Sequence, residues 1–243
     1  MRSNIILVAA LIVTACGGAT STAPSAGLLP QGSEPVVLDP ADFVALIDHP
    51  YWPMTPGSHW VYREIGPGGG ELQVDITVLA ETKVILGITV TVIHDVVSRD
   101  GEHIEDTLDW YAQDTAGNLW YLGEDTKEYR DGVVVSTGGS WQAGVDGAQA
   151  GIILPAEPRV GMTYRQEYYA GKAEDAAEIL SLTERVEGPF GSFTDVLMTK
   201  DFTPLSPNLV EHKFYAKGIG VVLVFDVSGG TDREELVTFE PGR

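Results

Sequence analysis

The chain has 243 residues and a formal net charge of −20 at pH 7, from 15 Lys and Arg against 35 Asp and Glu. So large an acidic excess argues against nucleic-acid binding, which needs clustered Lys and Arg, and against electrostatic adhesion to anionic lipid. A single cysteine excludes a disulfide within the chain, so the fold must depend on its hydrophobic core.

The N-terminus has the pattern of an export signal followed by a lipid-attachment cysteine. A positive charge at Arg2 precedes an apolar run over residues 5–13, which is too short for a transmembrane helix of about 20 residues. The sequence VTAC at residues 13–16 resembles the lipobox of bacterial lipoproteins. The resemblance implies that residues 1–15 are a removed signal peptide and that Cys16 carries the lipid. The protein would then be exported and anchored to the bacterial cell membrane or outer membrane. An ordinary signal peptide with a chance cysteine is the alternative.

The next segment predicts a flexible tether over residues 16–35. It consists mostly of Gly, Ala, Ser, Thr and Pro, a composition that cannot bury enough apolar surface to become ordered. We expect one β-rich domain over residues 36–243. That domain begins with a short helix over residues 39–47, where Asp39 is a suitable N-cap and Pro40 suits the first helical position.

From residue 57 onward the pattern is typical of strands and tight turns. Apolar and polar side chains alternate over residues 72–78, as in a strand with one buried face. Asp-Gly pairs at residues 100–101 and 131–132 are hairpin signals. The sequence predicts about twelve strands up to Phe239 and an all-β, mostly antiparallel fold.

A comparison of the chain with itself, shifted by 104 residues, indicates two similar halves. The shift aligns Gly57 with Gly161, Trp60 with Tyr164, and Tyr111 with Tyr215. Residues 174–187 have good helix formers, but their apolar positions keep the parity of the strand at 70–83, so we predict a strand there. The expected fold is two antiparallel β-meander halves, about 57–135 and 159–240, that form a sandwich or an open barrel. Coincidence between two meanders is the alternative.

A loop rich in Gly, Ala and Pro joins these halves over residues 136–158, with Trp141 near its start. Long loops in compact domains are usually functional or mobile. Trp141 therefore has two interpretations: an aromatic that anchors the loop to the core, or one that covers a ligand.

Motifs of catalysis are absent from the sequence. There is no Gly-x-Ser-x-Gly elbow and no phosphate-binding glycine loop, and an acylated Cys16 cannot be a nucleophile. The five histidines have no His-x-His or His-x-x-x-His spacing, so no compact zinc site is visible. We expect a protein that is not an enzyme and has no cofactor other than, at most, calcium.

Calcium is suggested by the acidic segments after residue 100. This cation prefers six to eight oxygen ligands in a flexible loop, and the candidate ligands are Asp114, Asn118, Glu124 and Asp125. Their spacing is not that of an EF-hand. A plain β-turn and a solvated acidic loop are the alternative interpretation.

Two segments carry a resemblance to uncharacterised exported bacterial proteins. The segment PYWPMTPGSHWVY at residues 50–62 has a proline-rich lead before Gly-x-x-Trp-x-Tyr, and FYAKGIGVVLVF at residues 214–225 is similar to the matching close. The resemblance implies an exported β-rich domain, and no activity comes with it.

Three functions fit these features. The first is a non-catalytic binding or envelope-associated lipoprotein, whose partners are the membrane, through its lipid, and an unknown small ligand or envelope protein. The second is a calcium-stabilised version of it. The third is a hydrolase of envelope or extracellular polymers, which an acidic pair with one buried member of raised pKa in a groove would favour.

Overall fold

A computed structural model describes residues 29–65, 70–227 and 233–243 of the chain. The predicted signal peptide, Cys16 and the first part of the predicted tether lie outside these residues. The strands are β1 (Phe43–Val44), β2 (His59–Ile65), β3 (Glu71–Ile85), β4 (Ile88–Arg99), β5 (Glu102–Asp114), β6 (Leu119–Arg130), β7 (Val133–Ser136), β8 (Trp141–Gln142), β9 (Gln149–Leu154), β10 (Thr163–Arg165), β11 (Glu167–Tyr168), β12 (Ala176–Glu187), β13 (Ser192–Phe202), β14 (Val210–Ala216), β15 (Gly220–Asp226) and β16 (Arg233–Glu240). The all-β prediction is confirmed, and twelve of these strands have four or more residues.

The strands form one antiparallel sheet that curls into a nearly closed barrel. Its main path runs β10-β12-β13-β14-β15-β16-β2-β3-β4-β5-β6-β9-β11. The two ends of this path, β10 and β11, are consecutive in the chain and separated only by Gln166. Because β10 pairs with β12 while β11 pairs with β9, residues 163–168 bring the two ends of the sheet together. Of the two predicted architectures, the barrel is the one observed.

Two runs of consecutive strands account for most of the barrel. Strands β2 to β6 pair in sequence order, as do β12 to β16, and β16 then pairs with β2. The strand predicted over residues 174–187 is confirmed as β12, which pairs with both β10 and β13. Cross-strand pairing and burial of Ala177 and Ile179 outweigh the helix propensity of this segment.

The helix predicted over residues 39–47 is not observed. Only Pro40–Asp42 form one 3-10 turn, with Asp39 as the expected N-cap accepting a hydrogen bond from the Ala41 amide. Phe43 and Val44 instead form β1, which pairs with the end of β5. So short a helix is marginal on its own, and pairing with β5 offers its backbone alternative partners. No helix among the described residues is long and apolar enough to cross a membrane.

The ordered part of the chain begins before the predicted boundary at residue 36. The backbone amide of Arg165 donates to the carbonyl of Pro30, and its guanidinium donates to the carbonyls of Gly32 and Glu34, both at 2.8 Å. Polar backbone groups that are paired in this way hold residues 30–34 against β10. The end of the predicted tether is therefore held against the barrel wall.

The two ends of the barrel differ in the polarity of their inward-facing side chains. Residues 47–54 cover one end, where Trp52 lies between Tyr111 and Tyr215 at ring-centroid distances of 5.6 and 6.2 Å. Along β2 the alternation that buries Trp60 and Tyr62 brings Glu64 to the inner face nearer the other end. The interior thus changes from apolar to acidic along the barrel axis.

Candidate functional site

Strand register places a group of acidic side chains on the inner face of the barrel. Asp95 in β4 pairs with Thr107 in β5, and Asp109, two residues further along β5, pairs with Glu124 in β6. Directly paired residues of antiparallel strands project from the same face. The inner face also includes Tyr111, which stacks on Tyr121 at 4.9 Å between ring centroids.

A cavity of about 180 Å³ lies between these acids and the aromatic core. Four aromatic rings line it, those of Trp52, Tyr62, Tyr111 and Tyr215. Its charged lining residues are Asp95, Lys213 and Glu234. A second depression of about 280 Å³ shares Lys213 and Glu234 with the cavity and includes residues of the rim. The two form a path from the acidic end of the barrel toward its core.

Burial and mutual repulsion raise the pKa values of these inner carboxyls. Desolvation and the charge of Asp109 raise the pKa of Asp95 well above its ordinary value. Desolvation also raises the pKa of Asp109 to about 6, against a hydrogen bond from the Tyr121 hydroxyl at 2.6 Å. The pKa values of Glu124 and Glu234 rise to about 7, chiefly through desolvation. Such carboxyls are costly to ionise without a partner cation.

Lys213 is the cation in the cavity lining. Its ammonium lies 3.1 Å from the Asp201 carboxylate, which also accepts hydrogen bonds from Gln166 and Thr199. Burial works against the charged form, yet the charge of Asp201 holds the pKa of Lys213 well above its ordinary value. Lys213 therefore stays protonated and ion-paired with Asp201.

Two buried polar atoms of the cavity lining have no hydrogen-bond partner among the described residues. They are the indole Nε1 of Trp52 and the Oδ1 oxygen of Asp95. Trp52 as a whole is only 9% exposed. A buried donor or acceptor without a partner costs about 1–3 kcal/mol, so nearly all such groups in folded proteins are satisfied by protein, water or ligand. Two residues of the cavity lining thus each carry a buried polar atom without a partner.

A larger open groove, of about 790 Å³, lies beside the barrel wall near residues 31–33. Glu167 and Asp175 line it. Desolvation and the neighbouring Asp175 raise the pKa of Glu167 to about 8, although its Oε2 accepts a 2.8 Å hydrogen bond from the Trp141 indole. Desolvation raises the pKa of Asp175 as well. These two carboxyls are an acidic pair with one largely buried member in a groove.

The four residues predicted as calcium ligands do not come together. Asp114 accepts hydrogen bonds from the Asn118 amide groups and from the Trp120 indole, as in a closed turn. Glu124 pairs with Asp109, five positions from Asp114 along β5, which corresponds to roughly 17 Å. Asp125 points to the opposite face of β6 and contacts Lys127 at 3.4 Å. Within the described ranges, no three His, Cys, Asp or Glu side chains are grouped as a metal site would require.

The structure places Trp141 as an anchor of the long loop. It is 4% exposed, packs edge-on against Tyr121 at 5.4 Å, and donates to Glu167. Loop residues 141–142 pair with β6 at Gly123 and Glu124. Trp141 thus connects the inner wall of the barrel with the groove.

The sequence analysis did not identify Asp95, Asp109, Glu167, Lys213 or Glu234 as site residues. The sequence contains a signal for two of them. Asp109 is two residues from Tyr111 in β5, and Lys213 is two residues from Tyr215 in β14, so each lies on the same face of its strand as a tyrosine. Parity alone shows that these residues share a face. It does not show that the faces of eight strands converge on one cavity.

Comparisons with known proteins give structural matches at low sequence identity. No protein-family model matches the chain, and no curated protein matches it. A solved structure of a candidate exported protein with a YmcC-like fold from Bacteroides fragilis is similar, with 14% identity and a TM-score of 0.45 over 79% of this chain and 99% of that one. A candidate lipoprotein from Parabacteroides distasonis is similar with 12% identity and a TM-score of 0.43 over 78% of this chain and 98% of that one.

Proposed function

We propose that this protein is an exported, lipid-anchored, non-catalytic binding protein that holds a small ligand inside its barrel. The observation that supports this proposal best is the cavity lined by four aromatic rings, with an unmatched donor on Trp52 and an unmatched acceptor on Asp95. Concave sites with aromatic walls and a few convergent polar groups are the usual form of small-molecule sites. The path past Glu234 and Lys213 gives the ligand a route from the rim.

Untargeted mass spectrometry of the full chain purified from membranes tests the binding function. We expect a small molecule to copurify with the wild type and to be lost from a Val224→Phe variant, because Val224 lines both the cavity and its outer depression. Val84→Phe is the matched control, since Val84 is 66% exposed and distant from this lining. An empty wild-type protein, or equal occupancy in both variants, would contradict the proposal.

The anchoring part of the proposal depends on Cys16, which follows the predicted signal peptide. We expect a Cys16→Ser substitution to move the protein from the membrane fraction to the soluble fraction, because a Ser hydroxyl is not a substrate for thioether formation. Ser21→Ala, in the same segment, is the control and should stay with the membranes. A Cys16→Ser variant that remains in membranes washed with high salt would show that the anchor lies elsewhere.

A second candidate function, hydrolysis of a polymer, is favoured by the pair of Glu167 and Asp175 in the open groove. A carboxyl with a pKa of about 8 keeps its proton at neutral pH and can act as a general acid there. Release of reducing ends from envelope polysaccharides would reveal this activity. Glu167→Gln should abolish it and Glu157→Gln, at an exposed position, should not. No release by the wild type would remove this candidate.

We also propose that the barrel consists of two duplicated halves. Gly57 donates its amide to Val78 and Gly161 donates to Ile179, both at 2.8 Å, at bends of nearly equal φ, 83° and 85°. Under the 104-residue shift, strands β2 to β6 correspond to β10 and β12 to β15, and both runs pair in that order. Under this proposal the acidic site lies at the interface of two related meanders.

A further inference from the structure

The inner cavity has an excess of carboxyl groups over cations. Asp95 and Glu234 line it, and Asp109 lies close enough to raise the pKa of Asp95. The cation in the lining, Lys213, is already paired with Asp201 at 3.1 Å. Lys213 also lowers the pKa of Glu234. Asp95, whose pKa is raised by burial and by neighbouring carboxyls, is therefore the carboxyl of the lining whose ionised form an added positive charge would stabilise.

We propose that this cavity binds a small organic cation, with its ammonium group against the Oδ1 oxygen of Asp95. This inference rests on the binding function proposed above and names the chemical class of the ligand. An ammonium group offers three hydrogen-bond donors and a charge, which suit an unmatched carboxylate oxygen in a confined site. Hydrogen bonds between charged groups are shorter and stronger than neutral ones.

The unmatched indole Nε1 of Trp52 refines the ligand class. This atom can only donate, so a bare ammonium leaves it without a partner, whereas an oxygen on the same ligand accepts from it. Trp52 and Asp95 line one cavity. A ligand with an ammonium at one end and a hydroxyl oxygen at the other, an aliphatic amino alcohol, satisfies both atoms at once.

The aromatic walls and the cavity volume are consistent with this class. Tyrosine and tryptophan faces attract organic cations within about 6 Å of the ring centroid, and Tyr62, Tyr111 and Tyr215 surround the space. A volume of about 180 Å³ corresponds to roughly six water molecules at their liquid volume. That space suits a short aliphatic chain and excludes a large polymer.

A metal ion is the competing cation. Among the described residues no three His, Cys, Asp or Glu side chains are grouped to hold one. Calcium needs six to eight oxygen ligands, while the cavity lining includes only two carboxyls and several aromatic rings. These features favour an organic cation, and calcium is an outcome of the experiment.

Calorimetric titration of the full chain with 4-amino-1-butanol tests the inference, with 1,4-butanediol as the neutral match and CaCl₂ as the metal. We expect the amino alcohol to bind and the diol not to bind, because only the former carries a charge. Asp95→Asn should weaken amino alcohol binding at least tenfold, since hydrogen bonds to charged groups contribute about 1.5–3 kcal/mol. Asp75→Asn should leave binding within twofold, because Asp75 lies on the outer face of β3, bonded to His59 and Gln73.

A second variant keeps the inference testable if Asp95→Asn does not fold. Glu234→Gln removes the other carboxyl of the cavity lining and should weaken binding by severalfold. Circular dichroism melts of each variant show whether it is folded before titration.

Four results would overturn the inference. They are equal binding of the diol, no binding of the amino alcohol to the wild type, calcium binding that Asp95→Asn abolishes, and equal effects of Asp95→Asn and Asp75→Asn. If a neutral or anionic molecule copurifies and Val224→Phe excludes it, the binding function stands and the cation inference is wrong. If nothing copurifies and nothing binds, both are wrong.

Discussion

Two fully buried aromatic residues, Trp60 in β2 and Tyr164 in β10, lie in the barrel wall. Trp60 stacks on Phe239 at 5.1 Å between ring centroids and donates its indole N–H to the Ile219 carbonyl at 2.7 Å. The Tyr164 hydroxyl donates to the Ile153 carbonyl at 3.2 Å. Each ring thus fills interior volume and leaves none of its own polar atoms unpaired.

Trp60→Ala and Tyr164→Ala should each lower the free energy of unfolding by about 3–5 kcal/mol, because each deletes a large buried ring and leaves a cavity. Urea titration monitored by circular dichroism measures the loss. Tyr164→Phe is the control, since it keeps the ring and removes one hydrogen bond, with an expected loss of about 0.5–1.5 kcal/mol. A loss below about 1 kcal/mol for either alanine variant would contradict the assignment of these rings to the core.

At this scale the sequence predicted the core better than the site. Trp60 and Tyr164 follow from alternation and from the internal comparison, and both are buried. Glu124 and Asp125 were grouped as joint calcium ligands, yet neighbouring residues of a strand point to opposite faces. The partner of Glu124 is Asp109, fifteen positions earlier. That pairing depends on the register of β5 against β6, which includes a bulge between Asp109 and Tyr111 and is not readable from one sequence.

At the scale of elements, strand pairing determines the secondary structure where the intrinsic propensity of a segment is weak or favours a different structure. Residues 176–187 form β12 despite good helix formers, because two neighbouring strands pair with them. Residues 43–44 form β1 where a helix was predicted, because β5 pairs with them. The N-cap at Asp39 was correct, since it depends on local chemistry alone. Local signals were therefore reliable for the turn, and the extent of each element was decided by its neighbours.

The bends before β2 and β10 provide a test at this scale. Gly57 and Gly161 have φ values of 83° and 85°, a region that costs a residue with a Cβ about 1–2 kcal/mol. A Cβ on Gly161 would meet nothing within 4 Å, and one on Gly57 would meet only Gly242 at 3.9 Å. Gly57→Ala and Gly161→Ala should therefore destabilise the protein by similar amounts, about 1–2 kcal/mol each.

Thermal and urea unfolding of the two variants measure these losses. Gly188→Ala is the control, because Gly188 has no positive φ and open space around its Cβ position. It should change stability by less than about 0.5 kcal/mol. A large difference between Gly57→Ala and Gly161→Ala would show that the two bends are not equivalent, and would weaken the proposed duplication.

For the whole molecule, the acidic interior sets the dependence of stability on pH. The pKa values of Glu124 and Glu234 are raised to about 7, and that of Glu167 to about 8, from 4.5, with desolvation as the main cause. Between these values the folded protein keeps protons that the unfolded chain has released. The free energy of unfolding must then fall as pH rises through this window. His49 has a lowered pKa and acts in the opposite sense, but only below about 6.5.

We therefore expect the melting temperature of the ligand-free protein to fall between about pH 5 and pH 8, from just above the ordinary pKa of these carboxyls to their raised values. Below about pH 6.5 the lowered pKa of His49 makes the fall shallower without reversing it, because the carboxyls with raised pKa values outnumber the histidines with lowered ones. A Glu124→Gln, Glu234→Gln double variant should show a smaller fall over the same range, because it lacks two of the carboxyls that titrate in it. Glu157→Gln, at an exposed position on the surface, should behave as the wild type does. A melting temperature that rises over this range, or a double variant with an unchanged slope, would show that ionised carboxyls inside the barrel do not destabilise the folded state. Bound 4-amino-1-butanol should reduce the fall as well, because an ammonium in the cavity stabilises the ionised carboxyls that the folded protein otherwise resists forming.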